Sequence, residues 1–134
     1  MSSRTKSAPA ADAAARANQI LLRKAIPAGQ KIFFEGAEAD RAFIIQSGEV
    51  DICARGAYGE LKVLTTLQKG QVFGEMALMM NAPRSATAVA KTACELTIVH
   101  KSHLEEKMQS IDPLIRRWVE SLAKRIVMLT QKVS

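Results

Sequence analysis

From Leu21 onward the sequence breaks into short apolar or β-branched runs, "LLRKAI", "QKIFFE", "RAFIIQ", "EVDICAR", "ELKVLTTL" and "QVF", separated by "PAG", "EGAEAD", "SG", "RGAYG" and "KG". Runs this short, recurring about every eight to twelve residues with glycine between them, cannot build the long crossovers that a parallel sheet needs. They predict an antiparallel sandwich or barrel. "SATAVAK" and "CELTIVH" supply two more strands, for about eight in all.

Helical patterns flank this β region. "PAADAAARANQILL" is alanine-rich, with Pro9 suited to a first turn, and reads as an N-terminal helix behind a disordered tail over residues 1–8. After His100 the period changes again. Ser102 and Glu105 have the spacing of a capping box for "HLEEKMQS", and Asp112 followed by Pro113 reads as the start of a further helix. In that last helix Ile115, Trp118, Val119, Leu122, Ile126, Leu129 and Val133 follow the spacing of one face. The stripe is expected to cover the roll, with a homodimer seam as the competing reading. The fold class is therefore α+β: a jelly-roll-like antiparallel β-roll with an N-terminal helix, a short helix inside the β region and two C-terminal helices, forming one domain over residues 9–134.

Composition excludes several classes. No apolar run reaches the ~18 residues of a membrane span, and the N-terminus lacks the apolar core of a secretory signal, so a cytoplasmic location is expected. Cys53 and Cys94 lie far apart in strand-like runs, which predicts buried free thiols. The net charge of +6 is unevenly spread: residues 1–31 carry +5, residues 32–100 carry −2 and residues 101–134 carry +3. Basicity thus belongs to the flanks, as solvated helix faces or as a docking surface for an acidic partner.

The segment "FGEMALMMNAPRSATAVA", Phe73 to Ala90, combines features that point to an anion site. The chain leaves a strand, passes Gly74 and coils into a helical turn whose first N–H groups have no internal partner. Arg84, set by Pro83, can close a planar fork over an anion, and Ser85 can add a hydroxyl. Glu75 would repel a phosphate and must face a donor such as a sugar hydroxyl, or else pair with Arg84.

This segment resembles the phosphate-binding cassette of the cyclic nucleotide-binding domain family: F-G-E, a small residue and Leu, a short loop, then P-R followed by small residues and Ser or Thr. "IPAGQKIFFEGAEADRAFIIQSGEV", with Gly29, Gly36 and Gly48 at its turns, is similar to the family's opening strands. Gly70 precedes the cassette, and the likeness covers about residues 20–131. The resemblance implies that Glu75 binds the ribose 2′-hydroxyl and Arg84 the cyclic phosphate, while backbone around Gly74, Met76 and Ala77 completes the cradle and Ser85 adds a contact. It implies an apolar seat for the base, for which Ile52, Val72, Arg125, Ile126 and Leu129 are the candidates, under a C-terminal helix that closes on binding. The cassette departs from the family's pattern where "TAV" displaces the valine usual after its alanine. cAMP is expected over cGMP from the "PRSA" form of the motif.

The implied function is a cyclic nucleotide sensor acting on a protein effector, with no cofactor beyond cAMP or cGMP. A nucleotide-independent scaffold of the same fold, or a regulatory piece of a transcription factor or channel, is the alternative. An enzyme is not expected: G-x-S-x-G, G-x-x-x-x-G-K-[ST] and G-x-G-x-x-G are all missing. His100 and His103, without a metal-ligand set around them, read as surface residues. Sequence-specific DNA binding is not expected either, since no recognition helix follows "RIVMLTQKVS".

Overall fold

The computed structural model describes residues 22–133. Eight strands form two four-stranded antiparallel sheets. The strands are β1 (Leu22–Ile26), β2 (Lys31–Phe33), β3 (Arg41–Ser47), β4 (Val50–Arg55), β5 (Leu61–Leu67), β6 (Val72–Phe73), β7 (Thr87–Ala90) and β8 (Cys94–His100). One sheet runs β1-β8-β3-β6 and the other β2-β7-β4-β5. Every expected strand is present. The N-terminal helix expected before them lies, apart from Leu22, outside the described residues.

The two sheets face each other across an apolar core. In β8 the alternate residues Cys94, Leu96 and Ile98 point inward, and Leu96 is 1% exposed. They meet Phe43 and Ile45 of β3, Val50 of β4, and Ala88 and Ala90 of β7. The two alanines are fully buried, so β7 brings its backbone close to the opposite sheet where larger side chains would hold it away. Cys53 and Cys94 are free and buried, and burial pushes both thiols above their ordinary value.

Three helices complete the described chain: α1 (Glu75–Met79), α2 (Lys101–Ser110) and α3 (Pro113–Val133). Asp112 caps α3 as expected, its carboxylate accepting from the Leu114 N–H at 2.8 Å. The capping box at α2 is not formed. The helix begins two residues earlier, with His100 as N-cap in place of Ser102 and no side-chain cap bond, because β8 runs straight into it. His103 is 7% exposed rather than on the surface, and its Nδ1 is buried without a partner.

The apolar stripe of α3 does not cover the roll. Ile115, Trp118, Leu122, Ile126 and Leu129 are all exposed, whereas Ala123, 4% exposed, lies at the centre of the packed face with Val119 and Val127 half-buried beside it. A small residue there lets the helix backbone approach its neighbours; Trp118, Leu122 and Leu129 are turned outward, while Ile126, though half exposed, faces the cavity beside Met76 and Ser85. No helix among the described residues is long and apolar enough to cross a membrane.

Candidate ligand-binding site

The site is built on the β6–α1–β7 connection. β6 is only two residues long, pairing Phe43 with Phe73 and Ile44 with Val72. The chain then turns at Gly74, whose φ of 80° places it in the left-handed region. Glycine is required there twice over. A Cβ would lie 2.8 Å from Arg84 Nη1 and 3.3 Å from Phe33 Cε2, in addition to the backbone strain.

α1 ends in a Schellman motif without glycine. Asn81, with φ of 54°, takes the left-handed position; its N–H donates to the Leu78 carbonyl at 3.4 Å, and the Ala82 N–H donates to the Ala77 carbonyl at 2.9 Å. Asn81 Oδ1 also accepts from Lys101 Nζ at 2.6 Å, tying the end of α1 to the start of α2. Beyond it the chain is strapped to the turn after β2. The Arg84 N–H donates to the Ala37 carbonyl at 2.9 Å, and the Gly36 N–H donates to the Arg84 carbonyl at 2.8 Å. The Glu35 N–H adds a bond to Thr87 Oγ1 at 2.9 Å, and Thr87 is 1% exposed. Arg84 is thus positioned by backbone on both sides before its side chain makes any contact.

The Arg84 side chain is turned inward and is 4% exposed. Nη1 donates to the Gly74 carbonyl at 2.7 Å, and Nη2 donates to the Arg41 carbonyl. The guanidinium carbon stands 4.1 Å from the centre of the Phe33 ring, a contact of about 0.5–2 kcal/mol. Phe33, Phe43 and Phe73, three of the four phenylalanines in the chain, cluster here with centroids 5.1 to 6.0 Å apart. Burial lowers the Arg84 pKa from its ordinary value; the Asp40 and Glu75 carboxylates raise it in partial compensation.

Two polar atoms at this locus have no partner: Arg84 Nε and Glu75 Oε2 are both buried and make no hydrogen bond. Among the described residues the ion pairs are Arg23–Glu95 and Arg41–Asp40, so Glu75 and Arg84 do not pair with each other. A buried acceptor and a buried donor, each unsatisfied, carry a desolvation penalty of about 1–3 kcal/mol apiece or more. Such a penalty persists where a ligand removes it.

The expected residues fall around two cavities. Met76, Ala77 and Ser85 line one of about 280 Å³, together with Met80, Pro83 and, from α3, Ile126. Arg84 lines another, of about 230 Å³, with Phe33, Phe43, Asp40, Arg41 and Ile98. Gly74 and Glu75, at the head of α1, line neither of them. Of the base-seat candidates, Ile52 is half-buried against the core and Ile126 reaches the cassette. Val72, Arg125 and Leu129 are exposed. The sequence reading overlooked Phe33, Phe43, the Arg41 carbonyl and the Asn81 turn. "MMNAP", an asparagine closing an apolar turn, carried a signal for the last of these.

Comparison with known proteins agrees with this geometry. Residues 23–111 match the family described as the cyclic nucleotide-binding domain. A cAMP-dependent protein kinase regulatory subunit of Aspergillus niger is 32% identical over 91 residues, 68% of this chain and 21% of that protein. The chain therefore spans about a fifth of the length of that curated relative. Among solved structures, EAL enzyme Bd1971 in its cGMP-bound form superposes with a TM-score of 0.74 at 36% identity, covering 83% of this chain and 30% of that one. Its cAMP-bound form gives 0.71 at the same identity, over 78% and 28%. The Thermus thermophilus catabolite activator protein superposes at 0.64 with 27% identity, over 90% of this chain and 53% of that one. With more than half of its length matched to the family and its cassette built as described, the chain belongs to the cyclic nucleotide-binding domain family.

Proposed function

We propose that this domain is a cyclic nucleotide sensor, with cAMP preferred over cGMP, that binds its ligand without turnover and passes the signal to a protein effector. The observation that carries the reading is the pair of unsatisfied buried groups at the head of α1. An ionised carboxylate only accepts and a guanidinium only donates, so one ligand relieving both must offer a hydroxyl and an anionic oxygen close together. A ribose 3′,5′-cyclic phosphate offers both. Glu75 takes the 2′-hydroxyl, while Arg84 exchanges the Gly74 and Arg41 carbonyls for phosphate oxygens and gains a full counter-charge. Backbone at Gly74, Met76 and Ala77 and the Ser85 hydroxyl complete the cradle.

The base is seated towards Ile126, the α3 residue beside Met76 and Ser85. Ile52, Val72, Arg125 and Leu129 contribute to the seat only if α3 and the roll close further on binding. That closure is the proposed signal, and it requires contacts made only in the closed state. The cAMP preference is supported by the "PRSA" motif and by the name of the regulatory subunit relative, while the Bd1971 relative is known in both cAMP-bound and cGMP-bound forms. Calorimetric titration with cAMP and cGMP tests the reading, with Arg84→Ala as control. Tighter binding of cAMP, abolished in the variant, supports it. Equal binding by Arg84→Ala refutes the site, and absence of binding by either nucleotide leaves the scaffold reading in its place.

A further inference from the structure

Phe33 stands on β2 at a break in the strand's register. Opposite β7, Lys31 pairs with Val89, and a regular antiparallel ladder would then set Phe33 against Thr87. It stands against Ala88 instead, so β2 carries an extra residue between the two pairs. Consecutive side chains of a regular strand point to opposite faces. Here Ile32 and Phe33 are both half-buried and both pack against the core. The bulge lets both neighbours turn inward, and one of them is the ring against which Arg84 rests.

Three groups meet at that point. A Cβ on Gly74 would press on both Arg84 Nη1 and Phe33 Cε2, so ring, guanidinium and head of α1 are packed together with no room between them. The Arg84 donors are divided: Nη1 and Nη2 go to the Gly74 and Arg41 carbonyls, and Nε has no partner. In the proposed complex those two carbonyls give way to phosphate oxygens. They therefore hold the guanidinium only until the ligand arrives. The attraction of the ring is for the charge of the cation, and it survives a change of hydrogen-bond partners. Phe43 gives weaker support, since the guanidinium carbon is 5.9 Å from its centre against 4.1 Å for Phe33.

We propose that Phe33 is a positioning residue for ligand capture: its ring keeps the Arg84 guanidinium in place while that group changes partners from backbone to phosphate. The inference rests on the nucleotide reading of the site and adds to it a residue that acts through Arg84. Without the ring, the ligand itself must order a long side chain, and affinity falls. The test is calorimetric titration of the full chain with cAMP, comparing the unmodified protein, Phe33→Leu, and chains carrying mono-, di- or trifluorophenylalanine at position 33, each verified as folded by circular dichroism. Fluorine drains negative charge from the ring face and leaves the ring's shape nearly unchanged, so the series separates attraction for the cation from packing. Affinity is expected to fall stepwise along the fluorinated series, and by roughly three- to tenfold in Phe33→Leu. Unchanged affinity along the series, with or without a loss in Phe33→Leu, makes the ring a packing element and overturns the proposal. If the unmodified chain binds no cyclic nucleotide, the reading of the site fails and the proposal falls with it; if that chain binds and the series is flat, the proposal alone falls.

Discussion

The cassette and α3 carry comparably strong sequence patterns, yet the chain treats them in opposite ways. Over residues 73–90 nearly every feature is used internally. Gly74 makes room for Arg84, the turn after β2 pairs with Arg84 on both sides, and Ala88 and Ala90 close the core. Over residues 113–129 only the line through Ala123 is used internally, and five large apolar side chains of the helix's free side stay exposed. The match to the family covers the first region and ends at residue 111, before the second begins. The contrast teaches that periodicity identifies an apolar face without saying what covers it, whereas a motif tied by backbone bonds contains its own partners.

Stability measurements can break this contrast. Leu96→Ala in the roll should cost about 2–5 kcal/mol in chemical denaturation, the ordinary result for emptying a closed core. Leu122→Ala in α3 should change monomer stability by less than about 0.5 kcal/mol. An equal loss at both positions would mean that the outward face of α3 is covered within the chain.

Within the cassette, two turn positions sharpen the account at smaller magnitude. Gly74→Ala forces a side chain into the left-handed region and against Arg84, so a loss of about 1–3 kcal/mol is expected in thermal unfolding. Asn81→Ala should cost about 1–2 kcal/mol, since asparagine tolerates its φ better than alanine and also holds Lys101. Asn81→Gly should recover most of that loss, which separates backbone strain from the lost hydrogen bond.

The smallest effect lies at the mouth of the Arg84 cavity. The Arg41 side chain, bonded to Asp40 at 3.0 Å, holds the Asp40 carboxyl below its ordinary value of 3.8. A lowered carboxylate pKa contributes stability that is fully present above the unfolded value and is lost as pH falls through the folded one. The pair is exposed, so Asp40→Asn should remove under about 0.5 kcal/mol, visible only as a slightly flatter acid limb of stability against pH.

Much of this was legible in the residues because the relevant physics is local. The eight strands followed from period-two runs and glycine turns, and the head of α1 from the Gly74-Glu75 pair. What stayed hidden depends on groups that leave no mark on a sequence. The Arg41 and Gly74 carbonyls that hold Arg84 are backbone, and any residue would have supplied them. Phe33 and Phe43 read as core strand residues, and only the folded register brings them under the guanidinium. The packed face of α3 was misjudged because close approach favours a small residue such as Ala123, while hydrophobic ranking favours leucine and tryptophan. His103 looked exposed because a lone histidine near a helix start carries no signal for burial.

The central claim is that the unpaired Glu75 carboxylate is kept for a sugar hydroxyl. Parallel calorimetric titrations of the intact chain with cAMP and with its 2′-deoxy analogue test it most directly, because the two ligands differ by that hydroxyl alone. The account predicts that the deoxy analogue binds more weakly by about 1.5–3 kcal/mol, and that Glu75→Gln narrows the difference. Equal affinity of the two ligands for the unmodified chain would contradict it.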